Sequence, residues 1–92
     1  MKEVTVYSTT RCSYCRQAAQ FLTARGVPFK NIDVTDDDAM RAKLVALSGG
    51  LRTVPQIFIG GKSVGGYTDL VALAQRGELD AMLKEESPDK PG

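Results

Sequence analysis

The chain has 92 residues, of which 42% are hydrophobic and 25% are charged, and its formal net charge is +1. These values are ordinary for one small globular domain, and the near-zero charge gives no case for nucleic acid or an anionic membrane as a partner. The chain contains two cysteines and no histidine. Histidine-based catalytic triads and histidine metal ligands are therefore excluded.

The sequence shows no pattern typical of a membrane span or of a secretory signal. No apolar run approaches the thickness of a bilayer, and the first residues lead into a predicted strand without an apolar signal region. The two cysteines are three residues apart, too close to staple a secreted fold. We therefore expect a protein of the reducing cytoplasm, with no membrane partner.

The first predicted elements are a strand, a helix and a second strand. Residues 4–7 are β-branched or aromatic, which is typical of a strand. A helix is predicted next from the apolar stripe Cys15, Ala19, Leu22 and Gly26. Gly26 and Pro28 end this helix, and residues 29–34 predict the second strand. Such a βαβ unit makes the two strands parallel.

The second half predicts a helix, a hairpin and two further helices. Thr35, followed by three aspartates, predicts the N-cap of the second helix, whose core face would be Met40, Leu44 and Leu47. Residues 56–59 and 62–65 predict a hairpin across a Gly-Gly turn. The last two helices, from about residue 68, would bury Leu70, Leu73, Ala74, Leu79, Met82 and Leu83.

This order predicts an α/β fold with a four-stranded mixed sheet flanked by helices. We assign residues 1–85 to one domain. Residues 86–92 are polar and contain two prolines, and we expect them to form a disordered tail.

Both cysteines lie in Cys12-Ser13-Tyr14-Cys15, where the first strand ends and the helix begins. The first turn of a helix favours an anion, and a thiolate is the form of cysteine that attacks a disulfide. Cys12 would lie at or before this turn, close in sequence to Arg11 and Arg16, whereas Cys15 belongs to the apolar stripe. We therefore predict that Cys12 is the attacking nucleophile and the more buried Cys15 the resolving thiol.

Three alternative sites have weaker support, and no metal ligand is predicted. A zinc site would need two more ligands, which only a dimer pooling two cysteine pairs could provide. The aspartates at positions 36–38 are typical of residues that compensate a helix dipole, more often than of a divalent metal site. Residues 61–63 resemble the end of a phosphate-binding loop, but Gln56 replaces its leading glycine and the segment lies in a hairpin.

Three segments, in chain order, resemble the glutaredoxin family. They are the cysteine motif within residues 7–16, Thr53-Val54-Pro55-Gln56-Ile57-Phe58-Ile59-Gly60-Gly61, and Gly65-Gly66-Tyr67-Thr68-Asp69-Leu70. The resemblance covers roughly residues 3–84. It implies a thioredoxin-like fold and a glutathione-dependent enzyme that reduces glutathione mixed disulfides and protein disulfides.

The resemblance also implies roles for individual residues. Cys12 matches the nucleophile and Cys15 the second thiol of dithiol exchange. The implied glutathione contacts are Tyr14, Arg41, Thr53, Val54, Pro55, Gly66, Tyr67, Thr68 and Asp69. Among these, Val54 precedes an implied cis-proline and would offer its backbone to the cysteine of glutathione.

At the two ends of glutathione, Thr68 and Asp69 match positions that hold the γ-glutamyl end, and Arg41 matches a position that reaches the glycyl carboxylate. Tyr14 and Tyr67 could instead be packing residues, and Asp69 a first-turn residue that compensates the helix dipole.

The chain differs from many glutaredoxins at two positions, Ser13 in place of proline and Thr9 in place of lysine or arginine. Arg11 or Arg52 would then supply the missing charge.

Some family members with this tetrad bind a [2Fe–2S] cluster between two subunits, using the nucleophilic cysteine and glutathione. One alternative function is therefore a cluster carrier or sensor, although we do not expect a cluster by default.

A further alternative is a redoxin that is reduced by thioredoxin reductase, which Tyr67, Thr68 and Asp69 disfavour. The expected partners are glutathione and proteins that are disulfide-bonded or glutathionylated. We expect the chain to be a monomer.

Overall fold

The computed structural model describes residues 2–84, and the predicted tail at 86–92 lies outside them. The described chain folds into one four-stranded sheet with strand order β2-β1-β3-β4 and helices on both faces. Its elements are β1 Val4–Ser8, α1 Ser13–Ala24, β2 Lys30–Asp33, α2 Asp38–Leu47, β3 Gln56–Ile59, β4 Lys62–Gly65, α3 Tyr67–Gln75 and α4 Glu78–Lys84. The predicted mixed sheet is confirmed, and no helix of residues 2–84 is long and apolar enough to cross a membrane.

The strand β1 lies at the centre of the sheet and determines where its loops meet. It runs parallel to β2, with Ser8 opposite Asp33, and antiparallel to β3, with Tyr7 opposite Gln56. The carboxyl ends of β1 and β2 therefore share one edge of the sheet with the amino end of β3. The cysteine motif follows β1 at this edge, and the segment around Pro55 precedes β3 there.

The main core lies between one face of the sheet and the helices α1, α3 and α4. Alternate strand residues such as Val4 and Val6 are fully buried on this face, because successive strand side chains point to opposite sides. The buried cluster consists of Val4, Val6, Ala18, Leu22, Val27, Ile57, Ile59, Leu70, Leu79 and Leu83. The predicted core positions of α3 and α4 are confirmed, with Leu73, Ala74 and Met82 partly buried at the edge of the cluster.

A smaller core covers the other face of the sheet and corrects one prediction. It contains Val34, Leu44 and Phe58, with Met40 packed against it. The sequence predicts Leu47 on the core face of α2, but 55% of its surface is exposed. Leu47 is the last residue of α2, and the residues of this helix that contact the small cluster are Met40 and Leu44.

The predicted apolar stripe of α1 is correct at Cys15 and Leu22 but wrong at its other two positions. Its buried residues are Cys15, Ala18 and Leu22, whereas Ala19 is only partly buried and Gly26 is exposed. Spacings of three and seven residues follow the period of an α-helix as well as the predicted four and seven, so the sequence pattern alone did not separate the two alanines.

The N-cap of α2 is Asp37, not Thr35. The Asp37 carboxylate accepts a hydrogen bond from the Met40 N–H at 3.0 Å, and the helix begins at Asp38. The hydroxyl of Thr35 is engaged elsewhere, donating to the Asp33 carboxylate at 2.6 Å and accepting from the Thr10 N–H at 2.9 Å. The Thr35 hydroxyl is therefore bonded to Asp33 and Thr10 and does not cap α2.

We predict that Asp37→Ala lowers the free energy of unfolding by about 0.5–2 kcal/mol, the usual cost of losing an N-cap side chain. Urea denaturation followed by circular dichroism measures this loss. The matched control is Asp36→Ala, an exposed carboxylate one residue earlier, which should change stability by less than about 0.5 kcal/mol. Equal losses in the two variants would contradict the assignment of the cap.

Candidate active site

The two cysteines lie at the start of α1 and are joined by a disulfide, with their Cα atoms 5.1 Å apart. Cys12 is the N-cap residue, and the Cys15 N–H donates to its Sγ atom at 3.0 Å. The first turn of α1 contains no acidic residue. The amino end of the helix is therefore free of a competing carboxylate and favours negative charge on the Cys12 sulfur.

The two sulfurs differ in accessibility, as predicted. Cys15 is 5% exposed and packs in the helix stripe, whereas Cys12 is only partly buried. The basic residues on either side of the motif, Arg11 and Arg16, are exposed. Cys12 is therefore the more accessible cysteine of the pair.

The segment before β3 approaches the cysteine motif from the opposite side. The peptide bond between Val54 and Pro55 is cis, which confirms the prediction. The Val54 carbonyl oxygen lies 3.6 Å from Cys12 Sγ. This loop and the amino end of α1 thus form two neighbouring walls of one site.

A cavity of about 310 Å³ lies beside Cys12. It brings together every predicted binding residue except Arg41, which lies on α2 and does not line it. The lining residues are Tyr14, Leu51, Thr53, Val54, Pro55, Gly66, Tyr67, Thr68 and Asp69. Since α1, the loop before β3 and α3 all contribute, three distant parts of the sequence meet here.

Two aromatic rings form one side of this cavity. Tyr14 stacks on Tyr67 with ring centroids 5.9 Å apart, and Tyr67 contacts Phe21 edge-on at 6.4 Å. Tyr14 remains 55% exposed, whereas Tyr67 packs against the main core. Tyr67 therefore has the predicted position in the site and a packing role as well, and it supports the more exposed ring of Tyr14.

The amino end of α3, which begins at Tyr67, also lines the cavity. Its N-cap is Gly66, so no side chain caps the N–H groups of the first turn, and they remain available to a ligand anion. The Asp69 carboxylate accepts from the Gly66 N–H at 2.9 Å. Asp69 is thus a first-turn residue of α3 whose carboxylate holds the Gly66 backbone where the helix begins. Gly65 packs directly against Asp69 at a φ of +104°, where a side chain would be both strained and obstructed.

Sequence reasoning missed Leu51 and the buried amide that holds it. The Gln56 side chain is 2% exposed and donates from Nε2 to the Leu51 carbonyl at 2.8 Å. Ser48 Oγ accepts from the Leu51 N–H at 2.9 Å, so both backbone groups of this cavity residue are fixed. A glutamine at the start of an otherwise apolar strand could have indicated this contact, because a buried polar side chain needs a hydrogen-bond partner.

Among residues 2–84, no group of three or more cysteine, aspartate or glutamate side chains is arranged to hold a metal ion.

Residues 4–64 match the family model of the glutaredoxins. The chain is 40% identical over 84 residues to glutaredoxin 3 of Escherichia coli, covering 91% of this chain and 100% of that protein. It is 46% identical over 83 residues to a glutaredoxin of Pseudomonas aeruginosa, covering 90% and 98% of the two chains.

Solved structures show the same likeness. A buckwheat glutaredoxin–glutathione complex superposes with a TM-score of 0.82 at 33% identity, covering 89% of this chain and 76% of the other. The oxidised glutaredoxin 2 of Chlamydomonas reinhardtii has a TM-score of 0.77 at 36% identity, with coverages of 90% and 80%. The fold is thus thioredoxin-like, and the chain belongs to the glutaredoxin family of thiol–disulfide oxidoreductases, with Cys12 and Cys15 as its redox pair.

Proposed function

We propose that the chain uses glutathione to reduce glutathione mixed disulfides and protein disulfides, with Cys12 as nucleophile and Cys15 as resolving thiol. The observation that carries this proposal is the position of Cys12 Sγ. It lies at the N-cap of α1, 3.0 Å from the Cys15 N–H and 3.6 Å from the Val54 carbonyl, beside the cavity.

The helix end supports Cys12 over Cys15 as the attacking group. A thiolate at Cys12 receives the Cys15 N–H and the positive end of the helix dipole, whereas Cys15 lies one turn inside α1 and is 5% exposed. Burial in an apolar stripe disfavours charge, and it also keeps Cys15 from reaching an external disulfide.

The proposed reaction is a series of thiol–disulfide exchanges. The Cys12 thiolate attacks the glutathione sulfur of a mixed disulfide, the old S–S bond breaks, and the substrate thiolate leaves. A second glutathione thiolate attacks the new mixed disulfide, regenerates the Cys12 thiolate and leaves as oxidised glutathione. For a protein disulfide, the Cys12 thiolate attacks one sulfur and the other leaves as a thiolate; the Cys15 thiolate then attacks the Cys12 sulfur, which releases the reduced protein and forms the Cys12–Cys15 disulfide. Two glutathione molecules reduce that disulfide by the same exchange and leave as oxidised glutathione.

The cavity suits the γ-glutamyl and cysteinyl parts of glutathione. With its sulfur bonded to Cys12 Sγ, the cysteinyl backbone would lie along Val54, and the γ-glutamyl carboxylate would reach the uncapped first turn of α3 at Thr68 and Asp69. The similarity to the buckwheat glutaredoxin that was solved with glutathione supports glutathione as the ligand.

The glycyl carboxylate requires a cation from outside the cavity lining, which contains none. We propose that Arg41 of α2 or the exposed Arg52 supplies it, the latter lying between the lining residues Leu51 and Thr53. We further propose the cytoplasm as the compartment, since a glutathione-driven reductase requires a reducing environment.

We predict that Cys12→Ser abolishes turnover of a small glutathione mixed disulfide, because no other residue supplies the attacking thiolate. Cys15→Ser should keep substantial turnover, since a second glutathione resolves the intermediate without Cys15. The measurement is NADPH consumption with glutathione and glutathione reductase.

The same assay with thioredoxin reductase in place of glutathione and its reductase is the control. Turnover only with thioredoxin reductase would refute glutathione dependence. Complete loss in both cysteine variants would refute the step that needs only Cys12. Silence with both reductants, together with visible absorption after anaerobic purification, would favour the iron–sulfur function instead.

We predict that Gly66→Asp raises the KM for the glutathione mixed disulfide about tenfold relative to Gly66→Asn. Both side chains can cap α3, and both meet only the Pro55 carbonyl oxygen, 3.4 Å from the new Cβ. They differ in charge, so a difference in KM reports repulsion of a substrate carboxylate. Equal KM values in the two variants would contradict a carboxylate at this helix end.

A further inference from the structure

A chain of hydrogen bonds joins the end of β2 to the loop that precedes Cys12. The Thr10 N–H donates to Thr35 Oγ1 at 2.9 Å, across 25 residues of sequence. The Thr35 hydroxyl donates to Asp33 Oδ1 at 2.6 Å, and the Thr35 N–H donates to the same oxygen at 2.8 Å. We name this arrangement of Asp33, Thr35 and Thr10 the clasp.

The direction of each bond in the clasp is fixed by the carboxylate. A threonine hydroxyl has one proton, and here it goes to Asp33, so the Thr35 oxygen can only accept from the Thr10 N–H. The two hydrogen bonds from Thr35, its hydroxyl first and its backbone second, hold the pKa of the Asp33 carboxyl below its ordinary value. Asp33 is therefore ionised at neutral pH, and its charge strengthens the acceptor that faces Thr10.

The clasp acts on a short connection. Three residues, 9–11, link the end of β1 to the N-cap Cys12. The Val34 N–H donates to the Ser8 carbonyl at 2.8 Å, which extends the β1–β2 pairing up to the start of this connection. Thr10 is then held from the side by Thr35, two residues before the reactive sulfur. The clasp thereby sets the direction in which the chain enters α1.

We propose that Thr35 is a positioning residue for the thiol–disulfide reaction, because its hydroxyl, oriented by Asp33, fixes Thr10 and keeps Cys12 Sγ at the N-cap of α1. The inference rests on the proposed role of Cys12 as nucleophile. Since Thr10 and Asp33 are both exposed, water replaces the lost partners when the clasp is broken. We therefore expect its removal to affect the reactivity of Cys12 more than the stability of the fold.

The test measures alkylation of Cys12 by iodoacetamide as a function of pH, in a Cys15→Ser background where Cys12 is the only thiol. This reaction needs no glutathione, so its result is independent of whether glutathione is the reductant. Thr35→Val keeps the shape of the side chain but removes its hydroxyl. We expect alkylation below the midpoint of the profile to slow about twofold to tenfold, the range that one net hydrogen bond corresponds to, and the midpoint to move to higher pH.

Three further variants separate positioning from other effects. Thr35→Ser retains the hydroxyl and should restore the wild-type profile. Asp33→Asn retains an acceptor but loses the charge, and should shift the profile in the same direction by less. Thr23→Val makes the same substitution at an exposed site on α1, away from the clasp, and should leave the profile unchanged.

The proposal is overturned if Thr35→Val alkylates with the same profile as Thr23→Val, or if Thr35→Ser slows alkylation as much as Thr35→Val. A purely structural role would lower the unfolding free energy of Thr35→Val in urea while the folded protein alkylated normally, and that result would also overturn it. If valine prevents folding, Thr35→Ala takes its place in the same comparison.

Discussion

The hydrogen bond from the Cys15 N–H to Cys12 Sγ is the interaction on which the site depends. It exists because β1 is buried at the centre of the sheet and delivers its carboxyl end to the first turn of α1. The antiparallel pairing of β1 with β3 brings the Val54–Pro55 loop to the same edge, and the first residues of α3 complete the cavity lining. A sulfur with a free helix end on one side and a carbonyl on the other is suited to carry charge and to exchange partners.

Much of this arrangement could be predicted from the sequence, because the decisive signals are local. A strand followed by a cysteine pair and an amphipathic stripe places Cys12 at a helix start whatever the rest of the chain does. The three glutaredoxin-like segments supplied the cis-proline and nearly all of the cavity lining, which the fold then assembled. The resemblance could name Arg41 as a contact, but a motif match does not give the distance from α2 to the cavity.

The incorrect predictions concern residues whose role depends on a contact with a residue distant in sequence. Threonine is a common N-cap residue, but the Thr35 hydroxyl is bonded to Thr10 and Asp33, and the Asp37 carboxylate caps α2 instead. Ala18 and Ala19 are the same residue type at neighbouring positions, and only the packing of the folded chain determines that Ala18 is the buried one. Gln56, at the start of an apolar strand, could indicate a buried hydrogen bond, but the sequence does not show that its partner is the Leu51 carbonyl. Such choices depend on tertiary contacts that no window of sequence contains.

The cavity also links the site to the folding of the whole chain. Its walls come from the start of α1, from residues 51–55 and from the start of α3, and these segments meet only through the assembled sheet. None of these three segments contains a complete pocket by itself. A ligand bound there therefore favours forms in which the three segments are assembled over forms in which any of them is displaced, and this stabilisation grows with the ratio of its free concentration to its dissociation constant. Occupancy of the pocket would thus protect its three wall segments against proteolysis, and it would protect less well helix α4, which contributes no lining residue and can open while the pocket stays intact.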